Sequence, residues 1–238
     1  MCETSSSIRC DYLPKCMYKI WQDAKEFSYT TDAVFLANFA HLVRKAKVLE
    51  LGCGTGAISM LLEARGAEEI LGVDVNPNIT KLFQTSVEDN HLEEKIKVLE
   101  ADIRDYKTFL EPESVDLVVA NPPYRNSGDQ RVIGTAACHE VTATLEDFFK
   151  AAAYAVRYRG RFALVQLPDR FSESMQLALK YGLEPKRLQW VHANIEKPAW
   201  IFLMEMTKGG SYGLDVLAPL IMYQKDGSYT EQVKKYYE

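Results

Sequence analysis

Apolar and polar positions follow two rhythms along this chain. Short apolar runs bounded by turn residues recur at 48–51, 69–75, 96–99, 115–120 and 160–167, and stretches of helical period lie between them. Val34, Phe35, Leu36 and Phe39 form the first helical face, with Thr31 or Asp32 as its cap. Ile58, Met60, Leu61 and Leu62 form the second, and Asn76-Pro77 opens a third that runs to about residue 89. Further helices are expected over 145–157 and 171–181, and a final strand pair over 185–192 and 200–206. Residues 1–20 read as a poorly ordered start followed by an edge element. Strands alternating with helices predict an α/β domain with a mainly parallel sheet.

The first buried run opens into Glu50-Leu51-Gly52-Cys53-Gly54-Thr55-Gly56-Ala57. This reads as strand, tight turn and helix, with a backbone bare enough for a ligand to lie against it. A dinucleotide fingerprint wants a third glycine where Ala57 stands, although alanine is tolerated there. Glu50 changes the picture, because a carboxylate beside the turn suits a ligand that carries positive charge. Asp74 ends the next strand 18 residues beyond Gly56, about the distance at which an acid meets ribose hydroxyls. Asp102 follows the third strand.

The fourth run ends in Asn121-Pro122-Pro123-Tyr124. Neither proline donates a backbone N–H, and the residues before them are kept out of helical conformations. The result is a stiff, extended corner at the sheet edge where open α/β folds bind ligands. Its chemistry suits an exocyclic NH₂ group. The Asn121 side-chain oxygen and the Pro122 carbonyl can accept both N–H groups, and Tyr124 can stack on a planar base. No strong base is required, since positioning alone can supply roughly 7–11 kcal/mol. A cytosine C5 enzyme would need a cysteine nucleophile near the corner, and there is none. Downstream, 125–140 is a long polar loop in which Arg125 and Arg131 either contact phosphates or are simply solvated.

Composition narrows the reading a little. The 238 residues suffice for one well-buried domain, read as 1–238 with an N-terminal cap over 1–45 and a core over 46–238. The formal charge of −5 argues against indiscriminate coating of nucleic acid but leaves room for a local basic face. Five cysteines without a Cys-x-x-Cys pair, and four histidines without matching spacing, predict reduced thiols and no metal. No run of membrane-spanning length and no signal peptide is evident, so a cytoplasmic protein is expected.

Glu50-x-Gly52-x-Gly54-x-Gly56 resembles the first motif of class I S-adenosylmethionine-dependent methyltransferases. The resemblance implies a Rossmann-like, seven-stranded, mainly parallel sheet with an antiparallel last strand and helices on both faces. The order Phe-Ser-Tyr-Thr-Thr-Asp, Glu-Leu-Gly-Cys-Gly-Thr-Gly, Val-Asp-Val-Asn-Pro, Asn-Pro-Pro-Tyr and His139-Glu140 is similar to bacterial tRNA1(Val) adenine-37 N6-methyltransferases. Cys138 departs from that pattern, where arginine is expected. The resemblance implies catalysis by Asn121, Pro122, Pro123 and Tyr124. It implies cofactor contacts from Tyr29, Thr30, Asp32, Glu50, Gly52, Cys53, Gly54, Gly56, Asp74, Val75, Asp102, Ile103 and Asn121. It further implies a tRNA substrate; no membrane, no metal and a monomer or weak dimer are expected beside it.

Rival readings are methylation of a protein glutamine amide, whose planar NH₂ suits the same corner, and a nicotinamide-dependent oxidoreductase. The first usually carries a helical domain before the cofactor turn, whereas only 47 residues precede Val48. The second leaves Asn121–Tyr124 unexplained. A non-catalytic RNA-binding protein conflicts with the intact corner and acids.

Overall fold

The computed structural model describes residues 7–25, 28–124 and 143–237. Arg125, Arg131, Cys138, His139 and Glu140, read above as part of a loop beside the site, lie outside the described residues, as does Phe27.

The parallel strands β3 (Lys47–Leu51), β4 (Glu69–Asp74), β5 (Ile96–Glu100), β6 (Val115–Ala120) and β7 (Val156–Gln166) form most of the central sheet. They are joined by β8 (Leu183–His192) and β9 (Ala199–Lys208), and the order is β8-β9-β7-β6-β3-β4-β5. β9 lies antiparallel between β7 and β8. Two two-residue strands, β10 (Asp215–Val216) and β11 (Leu220–Ile221), pair in parallel with β8 and bring the described sheet to nine strands. The seven expected strands are therefore present, with two short additions in the apolar segment 216–222 and its approach, which the runs above do not include. A further correction concerns the N-terminus. β1 (Ile8–Tyr12) and β2 (Lys19–Asp23) form a separate two-stranded hairpin, not an edge of the central sheet.

Helices cover both faces, as the side-chain alternation of buried strands requires. Val48, Leu117 and Val119 pack beneath α1 (Thr31–Phe39), α2 (Ala57–Ala64) and Phe83 of α3 (Pro77–Asp89). Leu49, Leu51, Val118 and Ala120 pack beneath α4 (Leu145–Ala155) and α5 (Phe171–Lys180). Some boundaries differ from the apolar pattern. β7 begins where α4 ends, because polar Arg157–Arg159 continue the strand backbone without its alternation. β8 starts at Leu183, two residues before the expected Pro185, and the ladder shifts register between Pro185 and Arg187, where a strand can dispense with a donor.

The placement of α1 matters most for the site. At its C-terminal end, the Arg65 guanidinium donates to the carbonyls of Ala37 and Ala40, which no longer have helical partners. Glu205, wholly buried, accepts from the His41 N–H at 2.7 Å and pairs with Arg161 and Arg187. At the other end, α6 (Glu231–Tyr237) sets Tyr236 edge-on to Phe35 and hydrogen-bonds Tyr237 to Thr31. Thr30, not Thr31 or Asp32, occupies the cap position of α1. Held at both ends, this helix points its first turn at the end of β6.

Candidate active site

A cavity of about 370 Å³ opens at the C-terminal ends of β3, β4, β5 and β6. Its wall includes Tyr29, Thr30, Glu50, Gly52, Cys53, Gly54, Asp74, Val75, Asp102, Ile103, Asn121 and Pro123, all expected from the sequence. Each is there for a local reason. β3 is buried on both faces, so the one carboxylate in it must find a partner inside. Glu50 accepts from the Ser59 N–H at 2.8 Å and from the Ser59 hydroxyl, both on α2. The glycine turn is tied to the end of β4, where the Gly52 and Cys53 N–H groups donate to the Val73 carbonyl at 2.8 and 3.0 Å. Asp74 continues that bracing, accepting from the Gly54 N–H at 2.9 Å and the Asn76 N–H at 3.0 Å. Asp102 caps the short helical turn after β5 and holds Arg104 through both oxygens, which keeps its carboxyl below the usual carboxylate range. Burial pushes the Cys53 thiol up, so it sits in the turn as a neutral packing group.

The corner after β6 is built differently. Asn121 is half-buried on the cavity wall, Pro122 is buried and Pro123 is exposed. Asn121 Nδ2 lies 3.3 Å from Asp32 Oδ2, and the Tyr124 hydroxyl donates to the same oxygen. Four expected residues are absent from the cavity wall: Gly56, Asp32, Pro122 and Tyr124. Gly56 faces Phe83 of α3, and Asp32 stands behind the corner, 2% exposed. Sequence reasoning missed Thr55, Asn76, Arg104 and Phe148 as wall residues. Arg104 follows Asp102 closely enough to suggest a pair. Phe148 carries no such signal, because a phenylalanine on an amphipathic helix reads as core.

The chain has the sheet order, crossover helices and strand-end acids of a class I methyltransferase. It belongs to the methyltransferase small domain family, whose model matches residues 24–179. Among curated proteins it is similar to the tRNA1(Val) (adenine(37)-N6)-methyltransferase of Bacteroides thetaiotaomicron, 23% identical over 231 residues, 92% of this chain and 94% of that one. The protein of the same name from Parabacteroides distasonis is 26% identical over 200 residues, 80% and 81% of the two chains. Among solved structures, a predicted O-methyltransferase from Agrobacterium tumefaciens superposes with a TM-score of 0.72 at 22% identity, covering 86% of this chain and 94% of that one. The T. thermophilus 16S rRNA N2 methyltransferase, solved with AdoMet and guanosine, gives a TM-score of 0.62 at 23% identity, over 84% and 50% of the chains.

The protein is thus an S-adenosyl-L-methionine-dependent methyltransferase. Two features of the cavity fit that cofactor. Glu50, Asp74 and Asp102 follow one another at successive strand ends, as an amino group, a ribose diol and an adenine NH₂ would need. The Thr55 hydroxyl is buried on the wall with no hydrogen-bond partner among the described residues, as expected of a group waiting for a ligand.

With a cationic amino group beside it, Glu50 is expected to make cofactor affinity pH-dependent. Burial raises its carboxyl from an ordinary 4.5 to about 8, so it holds a proton at neutral pH. A cationic amino group favours the carboxylate, and binding then expels that proton. Affinity is expected to rise with pH towards about 8, by at most about tenfold per unit. Calorimetry in buffers of different ionisation enthalpy should show the proton release at pH 7 in the wild type and lose it in Glu50→Gln. Equal release from both proteins would discard this role. The stability effect has its own sign. With the folded-state value above the unfolded one, this group lowers stability as pH rises from about 4.5 to about 8. The glutamine variant, having no proton to lose, should melt higher than the wild type at pH 8.

Proposed function

We propose that this enzyme methylates the exocyclic N6 of an adenine in tRNA, with adenine 37 of tRNA1(Val) the foremost candidate. The observation that carries the reading is the Asn121-Pro122-Pro123-Tyr124 corner, set rigidly at the end of β6 with Asn121 on the cavity wall. The names of the relatives favour tRNA over other adenine-bearing substrates. Glu50 would hold the cofactor's amino group, Asp74 its ribose hydroxyls and Asp102 its adenine amino group. When bound, the cofactor supplies an electrophilic methyl on a sulfonium.

The residues of the corner act on the other reactant. Asn121 Oδ1 and the Pro122 carbonyl accept the two N–H groups of the substrate, which fixes the nitrogen and favours pyramidal geometry. Its lone pair is then freed from the ring. Tyr124 offers its face to the base, which must leave its loop stack to reach the cavity. The methylated nitrogen is a cation that sheds a proton readily, so no side chain needs to be a strong base.

Incubation with S-adenosylmethionine carrying a labelled methyl, together with unmodified tRNA or a peptide-release factor, tests this directly. Digestion of the tRNA should place the label in N6-methyladenosine. Label in a glutamine of the release factor would transfer the assignment to protein amides, and label in neither would reject it.

A further inference from the structure

Asp32 is buried, does not touch the cavity and yet gathers four donors. Its Oδ2 accepts from Asn121 Nδ2 at 3.3 Å and from the Tyr124 hydroxyl, while Oδ1 accepts from the Thr30 hydroxyl and, at 3.1 Å, from the Ala33 N–H. Such a surrounding is built for a carboxylate, which accepts and does not donate. A primary amide has one end that donates and one that accepts. With Nδ2 of Asn121 engaged behind the corner, Oδ1 is the polar atom left to face the cavity.

We propose that Asp32 is a positioning residue that sets the direction of the Asn121 amide, presenting an acceptor to the substrate's amino group, and pins the ring of Tyr124 by its hydroxyl. The inference rests on the reading that Asn121 receives that amino group. It also replaces the cofactor contact expected of Asp32 from the sequence. An amide turned the other way would put N–H against N–H and reject an NH₂ substrate, so Asp32 contributes to selection of the substrate as well as to rate.

Reciprocal exchange tests the idea. Asp32→Asn puts a donor where only acceptors serve, and Asn121→Asp puts two carboxylates at hydrogen-bonding distance. In the double variant the new amide at 32 can donate to the new carboxylate at 121, which still shows an acceptor to the cavity. Each single change should lower kcat by about 10²-fold with the cofactor Kd held within about twofold, and the double variant should recover at least about tenfold over either. A merely structural contact predicts no such recovery. Loss of cofactor affinity at unchanged kcat in Asp32→Asn would overturn the proposal, and so would a double variant no better than the singles.

A second measurement needs neither substrate nor variant stability. In the ¹⁵N–¹H spectrum of the holoenzyme, one Asn121 side-chain proton should be shifted downfield and protected from exchange. Rapid exchange of both protons would sink the tether. If the wild type methylates neither tRNA nor release factor while that proton is protected, the functional reading has failed and the tether has not.

Discussion

Replacing Asn121 with alanine is expected to lower kcat by about 10²–10³-fold, the scale seen when one preorganised polar group is removed from a reacting centre. Cofactor affinity, measured by calorimetry, should remain within about twofold. The reason is the division of labour in the cavity. Acids and backbone groups from β3, β4 and β5 surround one half, and the corner after β6 provides the other. Truncation at the corner removes an acceptor for the substrate and leaves Glu50, Asp74 and Asp102 in place. It also frees Asp32 of one of its four donors. A fall in cofactor affinity as large as the fall in kcat would assign Asn121 to the cofactor instead.

Much of this site was legible in the sequence because the fold converts spacing into place. A strand end is the same location in every β-α-β unit, so acids at 50, 74 and 102 are bound to meet at one sheet edge. The corner was equally readable, since consecutive prolines leave few conformations open. What escaped notice depended on contacts between distant segments. Phe148 reaches the cavity only because a Thr144–Asp147 capping box starts α4 opposite Gly52. The Asp32 tie to residues 121 and 124 spans about ninety positions, and no local pattern encodes it. The hairpin β1–β2 was misplaced for a related reason. Besides Ile20, buried in the core, its anchors are polar contacts to α3 and its C-cap, among them the Trp21 indole N–H donating to Asp89 at 2.8 Å and the Lys19 N–H to Asn90 at 2.9 Å. Neither is visible in hydrophobic periodicity.

Gly56 shows how a motif residue can be right in type and serve a different purpose. The family resemblance implies a cofactor contact from it, yet it is off the cavity wall. Its φ is +83°, and a Cβ there would lie 2.0 Å from Cε2 of Phe83, a fully buried ring on α3. Gly56→Ala should therefore act on the fold. A left-handed backbone costs an L-residue about 1–2 kcal/mol, and overpacking a core site about 1–3 more, so about 2–5 kcal/mol is expected in all. For a chain of this size that is a drop in melting temperature of roughly 5–20 °C. Trimming the ring isolates the two parts. In a Phe83→Leu background the same glycine change should cost less, since the clash is gone and only the backbone penalty stays. A Gly56→Ala protein that melts like the wild type but binds S-adenosylmethionine poorly would return this glycine to the cofactor.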